Sequence, residues 1–261
     1  MHTRVTTTFV ALWCASLCQH AMSLDSATLE AMWLFDETSG NVAMDSSGHD
    51  RHGDLQGGSE WADGVFGGSY SPDGAAGQIV MTGYKGIGGQ QERTTVVWYR
   101  TDTQGDQRLV SWGANAEANK YHVRIHEGLE TLRVETQGGQ LFANEPAITD
   151  GEWHHLAVVL PPGSTMCHDH ILYVDGVEIT SRGGNDIGLD TDVTTNDLEI
   201  GYDAFIGHGS PATGEIDEVA LFSVALPQHE IVSIMNDGLV GALAVSASGK
   251  LATKWGELRR R

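Results

Sequence analysis

Short segments rich in β-branched and aromatic residues succeed one another along the chain, each bounded by glycine, proline, asparagine or aspartate. Residues 93–100 are of this kind, and residues 121–126 alternate three apolar residues with two histidines and an arginine. Alternation with a period of two is typical of a half-buried strand. The 33 glycines place turns throughout the 261 residues, and nothing before residue 225 sustains a helical period over several turns. The chain is therefore predicted to be all-β.

The firmest local prediction is a β-hairpin at Asp175-Gly176, between the apolar segments 171–174 and 177–179. A two-residue connection of this type favours a tight type I′ turn, because both turn positions need positive φ. Further strands are predicted at 31–36, 78–82, 107–112, 130–135, 153–160, 197–201 and 215–222. About ten or more short strands favour two packed antiparallel sheets, a β-sandwich.

One short helix is predicted at the C-terminal end of this β-domain. Pro227 favours a first helical turn, apolar residues follow on one side, and Gly238 is a stop signal. Beyond the helix, residues 240–261 are small, polar and finally basic, which predicts a tail outside the core. Residues 24–239 form one predicted domain, because their number suits a single sandwich.

Residues 1–23 have the pattern of a secretory signal peptide. A basic residue precedes an apolar core, and Ala21-Met22-Ser23 is a small-x-small cleavage signal. The apolar run is too short to span a bilayer, so membrane insertion is not expected. The prediction is a secreted protein, extracellular, periplasmic or bound to the cell surface. Cleavage removes two cysteines and leaves Cys167 without a disulfide partner.

The chain is strongly acidic, with 35 Asp and Glu against 15 Lys and Arg and a formal net charge of −20 at pH 7. A surface of this sign repels phosphate backbones, which excludes nucleic acid and anionic membranes as expected partners. It attracts divalent cations, although the charge also serves solubility alone.

Five short sequence motifs occur in a fixed order along the chain: Trp33-Leu-Phe-Asp-Glu37, Asp45-Ser-Ser-Gly48, Thr94-Thr-Val-Val-Trp98, Gly151-Glu-Trp-His-His-Leu-Ala157 and Gly214-Glu-Ile-Asp-Glu-Val219. In this order, over about residues 31–239, they resemble the laminin-G-like, concanavalin A-like jelly-roll family. The resemblance implies a two-sheet antiparallel jelly roll with one short C-terminal helix. Such sandwiches serve adhesion, sugar binding and catalysis alike, so the fold does not decide the function.

The same resemblance implies a structural Ca²⁺ ion between the N-terminal loop and the closing strand. The matching positions are Asp45 and Asp217, with backbone oxygens near Gly48 and His52 as further ligands. Oxygen ligands of this kind suit Ca²⁺. The alternative is that Asp45 forms an Asx turn and that Asp217 is a solvated strand acid.

A catalytic reading starts from Glu215-Ile-Asp217, because laminarinase-type hydrolases of similar fold carry an E-x-D-x-E strand. Glycoside hydrolysis needs two carboxyl groups that flank the scissile bond. Here the third position is Val219, and strict alternation turns Glu218 to the opposite face. We therefore expect no enzyme activity.

Two histidine-containing motifs have other candidate chemistries. Cys167-His-Asp-His170 holds soft metal ligands, but four adjacent residues do not close a tetrahedron, so a free surface thiol is the preferred interpretation. His154-His155 would serve as a hydrolase base only with a nucleophile elbow, and the sequence has no Gly-x-Ser-x-Gly.

The predicted function is recognition of a glycan or an extracellular glycoprotein, through loops or one concave face of the sandwich. An exposed Trp112 beside Asn115 or Asn119 would stack on a sugar while the amides bind its hydroxyls. Burial in the core is the alternative for Trp112. Two other functions stay open: a polysaccharide-active enzyme on the same scaffold, and a structural module of the cell surface.

Overall fold

A computed structural model of the chain describes residues 24–202 and 210–258, and it describes side chains up to residue 244. The predicted signal peptide, residues 1–23, lies outside the described residues.

The strands of the described residues are β1 (Leu29–Trp33), β2 (Val42–Ala43), β3 (Gly53–Gln56), β4 (Glu60–Asp63), β5 (Gly68–Ser71), β6 (Gln78–Met81), β7 (Arg93–Arg100), β8 (Gln107–Gly113), β9 (Lys120–His126), β10 (Thr131–Thr136), β11 (Gly139–Ala143), β12 (Trp153–Leu160), β13 (Ile171–Val174), β14 (Val177–Glu178), β15 (Arg182–Asn185), β16 (Leu198–Ile200) and β17 (Glu215–Phe222). Helix α1 spans Gln228–Leu258, and single 3₁₀ turns lie at Ser26–Thr28 and Cys167–Asp169. The predicted strands at 93–100, 153–160 and 215–222 are confirmed with these bounds.

The strands form two antiparallel sheets that pack face to face. One has eight strands in the order β14-β13-β12-β7-β17-β5-β4, with β1 also paired to β17. The other has nine strands in the order β15-β11-β10-β9-β8-β16-β6-β3-β2. The predicted all-β, two-sheet sandwich is confirmed.

The predicted hairpin is also confirmed. Asp175 has φ 51° and Gly176 has φ 74°, so both turn positions lie in the left-handed region. Val174 pairs with Val177 across the turn. The tight connection fixes the edge of the eight-stranded sheet at β14.

The alternation along β9 divides the nine-stranded sheet into two faces. Tyr121, Val123 and Ile125 point inward and belong to the main core between the sheets. The residues between them, His122 and Arg124, therefore point away from that core. This outward side of β8 to β11 carries charged and aromatic residues.

A second apolar cluster covers the outer side of the eight-stranded sheet. Val96, Ala220 and Phe222 of the sheet pack there with Ile231 and Ile234 of α1. Helix α1 is thus part of the domain rather than an appendage. Among the described helices, none combines the length and the hydropathy that a membrane crossing requires.

The predicted helix stop at Gly238 is confirmed for the first helical segment. Gly238 has the non-helical angles φ 69° and ψ 168°, so this segment ends there, and a second segment, which the sequence analysis did not predict, follows the bend and continues to Leu258. The Glu218 carboxylate accepts a hydrogen bond from the Leu239 N–H, which satisfies one donor that the bend exposes. Ala242 is buried in the second cluster, so the predicted tail from residue 240 starts inside the domain.

We predict that Trp98→Ala destabilises the fold by about 3–5 kcal/mol, because the ring leaves a large cavity. Trp98 is only 9% exposed, lies on the central strand β7, and makes edge contacts with Phe66 and His155. Urea unfolding of the variant measures the loss. Leu129→Ala, at a side chain 40% exposed, is the control and should stay within about 0.5 kcal/mol of the wild type. A wild-type midpoint for Trp98→Ala would contradict the assignment of β7 as the central strand.

Candidate functional site

The outward side of β8 to β11 gathers charge and aromatic surface, and we call it the outer face. It is centred on Glu135 of β10, whose carboxylate accepts hydrogen bonds from Lys120 and Arg124 of β9. Arg133 of β10 donates to the same carboxylate, with 2.6 Å between Nη2 and Oε2. Burial alone would raise the pKa of Glu135, but the three cations outweigh it and lower this pKa to about 2. Glu135 is therefore ionised at any physiological pH.

Two rings lie beside this charge network. His126 of β9 and Phe142 of β11 are half-buried and 4.2 Å apart between ring centroids, with 50° between their planes. Register places Phe142 opposite Arg133 in the sheet. We call His126, Arg133 and Phe142 the β9–β11 patch.

Gly183 of the edge strand β15 makes room for the Phe142 ring. It pairs with Phe142, and a Cβ atom at this position would lie 2.6 Å from the ring atom Cε2. Any larger residue would have to displace the ring, so the glycine sets the orientation of the patch.

His126 is neutral at physiological pH. Desolvation by burial lowers its pKa, and the nearby guanidinium of Arg133 lowers it further. A neutral imidazole offers one N–H donor and one acceptor. The patch thus combines aromatic surface, a neutral hydrogen-bonding ring and a fixed guanidinium, which suits a polar ligand with an apolar side.

These observations of fold and surface can be compared with known proteins. The family model described as the concanavalin A-like lectin/glucanases superfamily matches residues 73–232, more than half of the chain. The chain belongs to this superfamily. No curated protein sequence matches it.

Solved structures share the concanavalin A-like fold at low identity. Domain 4 of the extracellular arabinanase AbnA from Geobacillus stearothermophilus, in complex with arabinotriose, is 20% identical with a TM-score of 0.58 over 80% of this chain and 98% of that one. The binding domain of Paraclostridial Mosquitocidal Protein 1 is 14% identical with a TM-score of 0.58, over 81% of this chain and 52% of that one. The binding domain of Botulinum neurotoxin DC, in complex with rat synaptotagmin II, is 12% identical with a TM-score of 0.53, over 81% of this chain and 52% of that one. The chain spans about half the length of these two toxin domains.

Trp112, the predicted ligand-binding tryptophan, lies in the core between the two sheets. The Trp112 ring is 1% exposed, stacks on Tyr121 at 4.1 Å, and donates its indole N–H to the Ile87 carbonyl. The prediction that Trp112 is exposed is therefore wrong, because its side chain points inward from β8 and fills the core. Asn115 is exposed, whereas Asn119 donates to the Asp190 carbonyl and so ties two loops together.

Asp45 lies in a loop that it holds together itself. Its Oδ1 accepts from the backbone N–H groups of Met32 and Ser47, and its Oδ2 accepts from the Ser47 hydroxyl and the Arg51 N–H. Burial alone would raise the pKa of Asp45, but these hydrogen bonds outweigh it and hold the pKa below its ordinary value. An ionised carboxylate has about four lone-pair sites that can accept hydrogen bonds, so these four bonds fill them. His52 accepts from the Asp45 N–H, and Gly48 is an exposed turn residue with φ 91°.

Asp217 lies on the closing strand and binds a different segment. Its Oδ2 accepts from the N–H groups of Val65 and Phe66, while its Oδ1 is buried without a partner among the described residues. Gly64 permits this approach, because a Cβ there would lie 2.6 Å from Oδ2. Asp217 is fully buried, so the alternative of a solvated strand acid is wrong.

The described residues contain no group of three or more His, Cys, Asp or Glu side chains arranged to hold a metal ion. Asp45 has no acceptor capacity left for one without breaking its loop. The residues present therefore do not fit the implied ion as they stand. The calcium site stays a prediction, and the hydrogen bonds favour its alternative at Asp45, the Asx turn.

The predicted placement of Glu218 was wrong. A β-bulge between Asp217 and Ala220 gives Glu218 a φ of 50° and shifts the alternation, so that Val219 points into the main core. Burial raises the pKa of both Asp217 and Glu218 to about 7. The Asp217 carboxyl group accepts hydrogen bonds from two backbone N–H groups, and the Glu218 carboxyl group accepts one. Their bonds are structural, and neither group is exposed.

The other predicted motifs are also structural. Cys167 is fully buried, and burial raises the pKa of its thiol to about 11, so the predicted surface thiol is wrong. The side chain of His154 lies between two carboxylates, 2.9 Å from Asp175 and 3.1 Å from Asp150. His155 is buried beside Trp98, with 5.2 Å between the ring centroids, so it is a packing residue.

The residues of the β9–β11 patch were missed by sequence reasoning. Alternation in 121–126 already placed His126 on the polar side of its strand. Nothing in the sequence indicated that 131–136 pairs with this strand and that 139–143 pairs in turn with 131–136, because strand order depends on long-range packing. That pairing is what brings Arg133 and Phe142 beside His126.

We predict that Asp45→Asn lowers the melting temperature equally with Ca²⁺ and with EDTA. The amide replaces an acceptor oxygen and leaves loop donors unsatisfied, at about 1–3 kcal/mol. Differential scanning fluorimetry compares the two conditions, with Asp63→Asn, an exposed acid outside the loop, as the control. If Ca²⁺ raises the wild-type melting temperature, and Asp45→Asn and Asp217→Asn each abolish the rise, the implied calcium site is present after all.

We predict that His154 stabilises the fold in a pH-dependent way. The hydrogen bond to Asp175 raises its pKa above the ordinary 6.5, against desolvation by burial, and Asp150 adds to the shift. Its contribution, less than about 1 kcal/mol for each exposed pair, is complete below pH 6.5 and is lost as the pH rises through the folded-state pKa.

Urea unfolding from pH 5 to pH 9 measures this dependence. His154→Gln should remove that part of the pH profile. His49→Gln, at an exposed histidine that contacts a backbone carbonyl instead, should retain it. Superimposable profiles of the wild type and His154→Gln would contradict the ion-pair assignment.

Proposed function

We propose that this protein is a secreted, non-catalytic recognition module that binds a glycan, or the glycan of an extracellular glycoprotein, through the outer face. The superfamily includes both lectins and glucanases by its description. The choice between binding and catalysis therefore depends on the site rather than on the fold.

The observation that carries the proposal is the β9–β11 patch. Phe142 offers a partly exposed ring whose face is fixed by Gly183, and sugars present apolar C–H faces to such rings. His126 offers a neutral imidazole next to it, and Arg133 offers donors held in place by Glu135. One apolar surface with a few fixed polar groups is the usual composition of a small-molecule site.

The carboxyl groups that most resemble catalytic ones support a non-catalytic role. Asp217 and Glu218 are adjacent on one bulge, buried, and bonded to the backbone of the 64–67 loop and of α1. Two carboxyl groups that cleave a glycosidic bond must flank it from opposite sides. Adjacent buried groups do not provide that arrangement.

Solved relatives of the same fold are compatible with this proposal. The arabinanase domain is described in complex with arabinotriose, and it matches nearly all of its own length to this chain. At 20% identity, this likeness concerns the fold, so the ligand of the present chain has to be found by experiment.

A glycan array of the chain, followed by calorimetry with the best ligand, tests the proposal. We expect Phe142→Ala to weaken binding about tenfold, since a stacked ring contributes about 1 kcal/mol beyond its buried area. Val177→Ala, an exposed apolar side chain on the other sheet, should bind like the wild type. If Phe142→Ala binds with wild-type affinity, the binding site does not include the β9–β11 patch. If no glycan on the array binds, the proposed function is refuted.

A further inference from the structure

A pocket of about 350 Å³ lies at the β15 edge of the nine-stranded sheet. The residues that line it come from β11, β15 and the segments packed beside them: Leu141, His168, Thr180, Arg182, Gly183 and Gly184. Thr180, Arg182 and Gly184 are exposed, so the pocket is open to solvent. Ligand pockets of proteins start at about 300 Å³, so this pocket suits one small molecule or one residue of a larger ligand.

Gly183 belongs both to this pocket and to the surroundings of the β9–β11 patch. It lines the pocket and pairs in register with Phe142, and a Cβ atom on it would lie 2.6 Å from the Phe142 ring. Gly184 follows it and pairs with Leu141, whose side chain points to the core side of the same strands. The edge between ring and pocket thus consists of two residues without side chains. A ligand that contacts the ring can continue over this edge into the pocket.

Arg182 supplies side-chain donors to the pocket. Its Nη1 donates to the His170 carbonyl at 2.9 Å, which holds the guanidinium in place. Among the described residues, Arg182 forms no ion pair and no other hydrogen bond. A guanidinium has five N–H donors in a planar fork, so most of them remain for a ligand.

The pocket offers acceptors as well. The Thr180 hydroxyl can donate and accept. The Nε2 atom of His168 lies 3.1 Å from the Gln140 carbonyl oxygen, which only accepts, so Nε2 carries a proton and Nδ1 of the neutral ring is an acceptor. As the last strand in the order of its sheet, β15 adds backbone N–H and C=O groups that face away from β11. Donors and acceptors therefore occur side by side.

This mixture favours the hydroxyl groups of an uncharged sugar. A hydroxyl group donates one hydrogen bond and accepts others, so both kinds of group in the pocket find partners. A carboxylate or a sulfate ester only accepts, and it would leave the backbone carbonyl groups without a donor. The formal net charge of −20 adds a general repulsion of anions.

We propose that the pocket at β15 is a second sugar subsite, so that the ligand is an uncharged oligosaccharide with one residue on the Phe142 ring and the next in the pocket. This inference rests on the function proposed above and specifies its ligand as at least two linked sugars. Phe142 contacts the apolar face of one residue, while Arg182 and Thr180 bind hydroxyl groups of its neighbour. The two contacts reinforce each other, because the second forms at a high effective concentration once the first is made.

The test is a series of affinity measurements by calorimetry. The probes are neutral gluco-, galacto-, manno-, xylo- and arabino-oligosaccharides of one to four residues, with oligogalacturonides as the acidic set. We expect affinity for the series that binds to rise at least about tenfold from one residue to two or three, since the second subsite is then filled. Oligogalacturonides should bind more weakly than that neutral series.

Variants of the pocket separate it from the ring. Arg182→Gln should weaken binding of the oligosaccharide about tenfold, because it removes charged donors. Thr180→Val, which keeps the shape and removes one hydroxyl, should weaken it about threefold. The matched controls are Arg100→Gln on the opposite sheet and Thr82→Val at an exposed position after β6, and both should bind like the wild type. Melting curves establish that each variant is folded, and Thr180→Val decides the matter if Arg182→Gln is not.

The results that would overturn the inference are distinguishable from failure of the proposed function. Binding that is weakened by Phe142→Ala but unchanged in Arg182→Gln and Thr180→Val leaves that function in place and refutes the subsite. Equal affinity for one residue and for longer oligomers refutes it too. Tighter binding of oligogalacturonides than of every neutral series refutes the uncharged ligand. Binding of no probe in any series refutes both proposals.

Discussion

The Glu135 carboxylate organises the outer face, because three cations from two neighbouring strands donate hydrogen bonds to it. Without this carboxylate, Lys120, Arg124 and Arg133 would repel one another in a poorly solvated place. With it, the three side chains have fixed positions, and Arg133 is held at the boundary with solvent. Such buried ion pairs contribute little net stability, since desolvation offsets the Coulomb attraction. Their role here is to set geometry, which a binding site needs more than it needs stability.

The same sheet also contributes to the apolar core, whose burial offsets the desolvation of these charged groups. Inward residues of β9, Tyr121, Val123 and Ile125, are buried against the opposite sheet. Since successive side chains of a strand alternate, burying these three forces Lys120, His122 and Arg124 outward together. Helix α1 covers part of the outer side of the eight-stranded sheet with apolar contacts. The outer face of the nine-stranded sheet instead carries the charged side chains of β9 and β10.

Local pattern predicted the fold well and the site poorly. The positive-φ turn at Asp175-Gly176, the strands at 93–100 and 153–160, and the two-sheet sandwich follow from periodicity and turn chemistry. One error arises where a single residue changes the outcome: a bulge at Glu218 reversed the predicted face of its side chain. Gly238 ends the first helical segment as predicted, but a second segment follows it. Trp112 was misplaced because a tryptophan beside polar residues in sequence need not be near them in space. The β9–β11 patch depends on which strands become neighbours, and that is decided by packing across the whole sandwich.

The most direct test of this account is to locate the bound ligand by NMR. Titration of the ¹⁵N-labelled chain with the oligosaccharide that binds best on the glycan array should shift backbone amides of β9, β10 and β11, together with Gly183 of β15. The amides around Asp217 and in β12 should stay in place, because they belong to the covered sheet. Shifts confined to the loop of Asn115 and Asn119, or to the eight-stranded sheet, would contradict the assignment of the outer face as the binding surface.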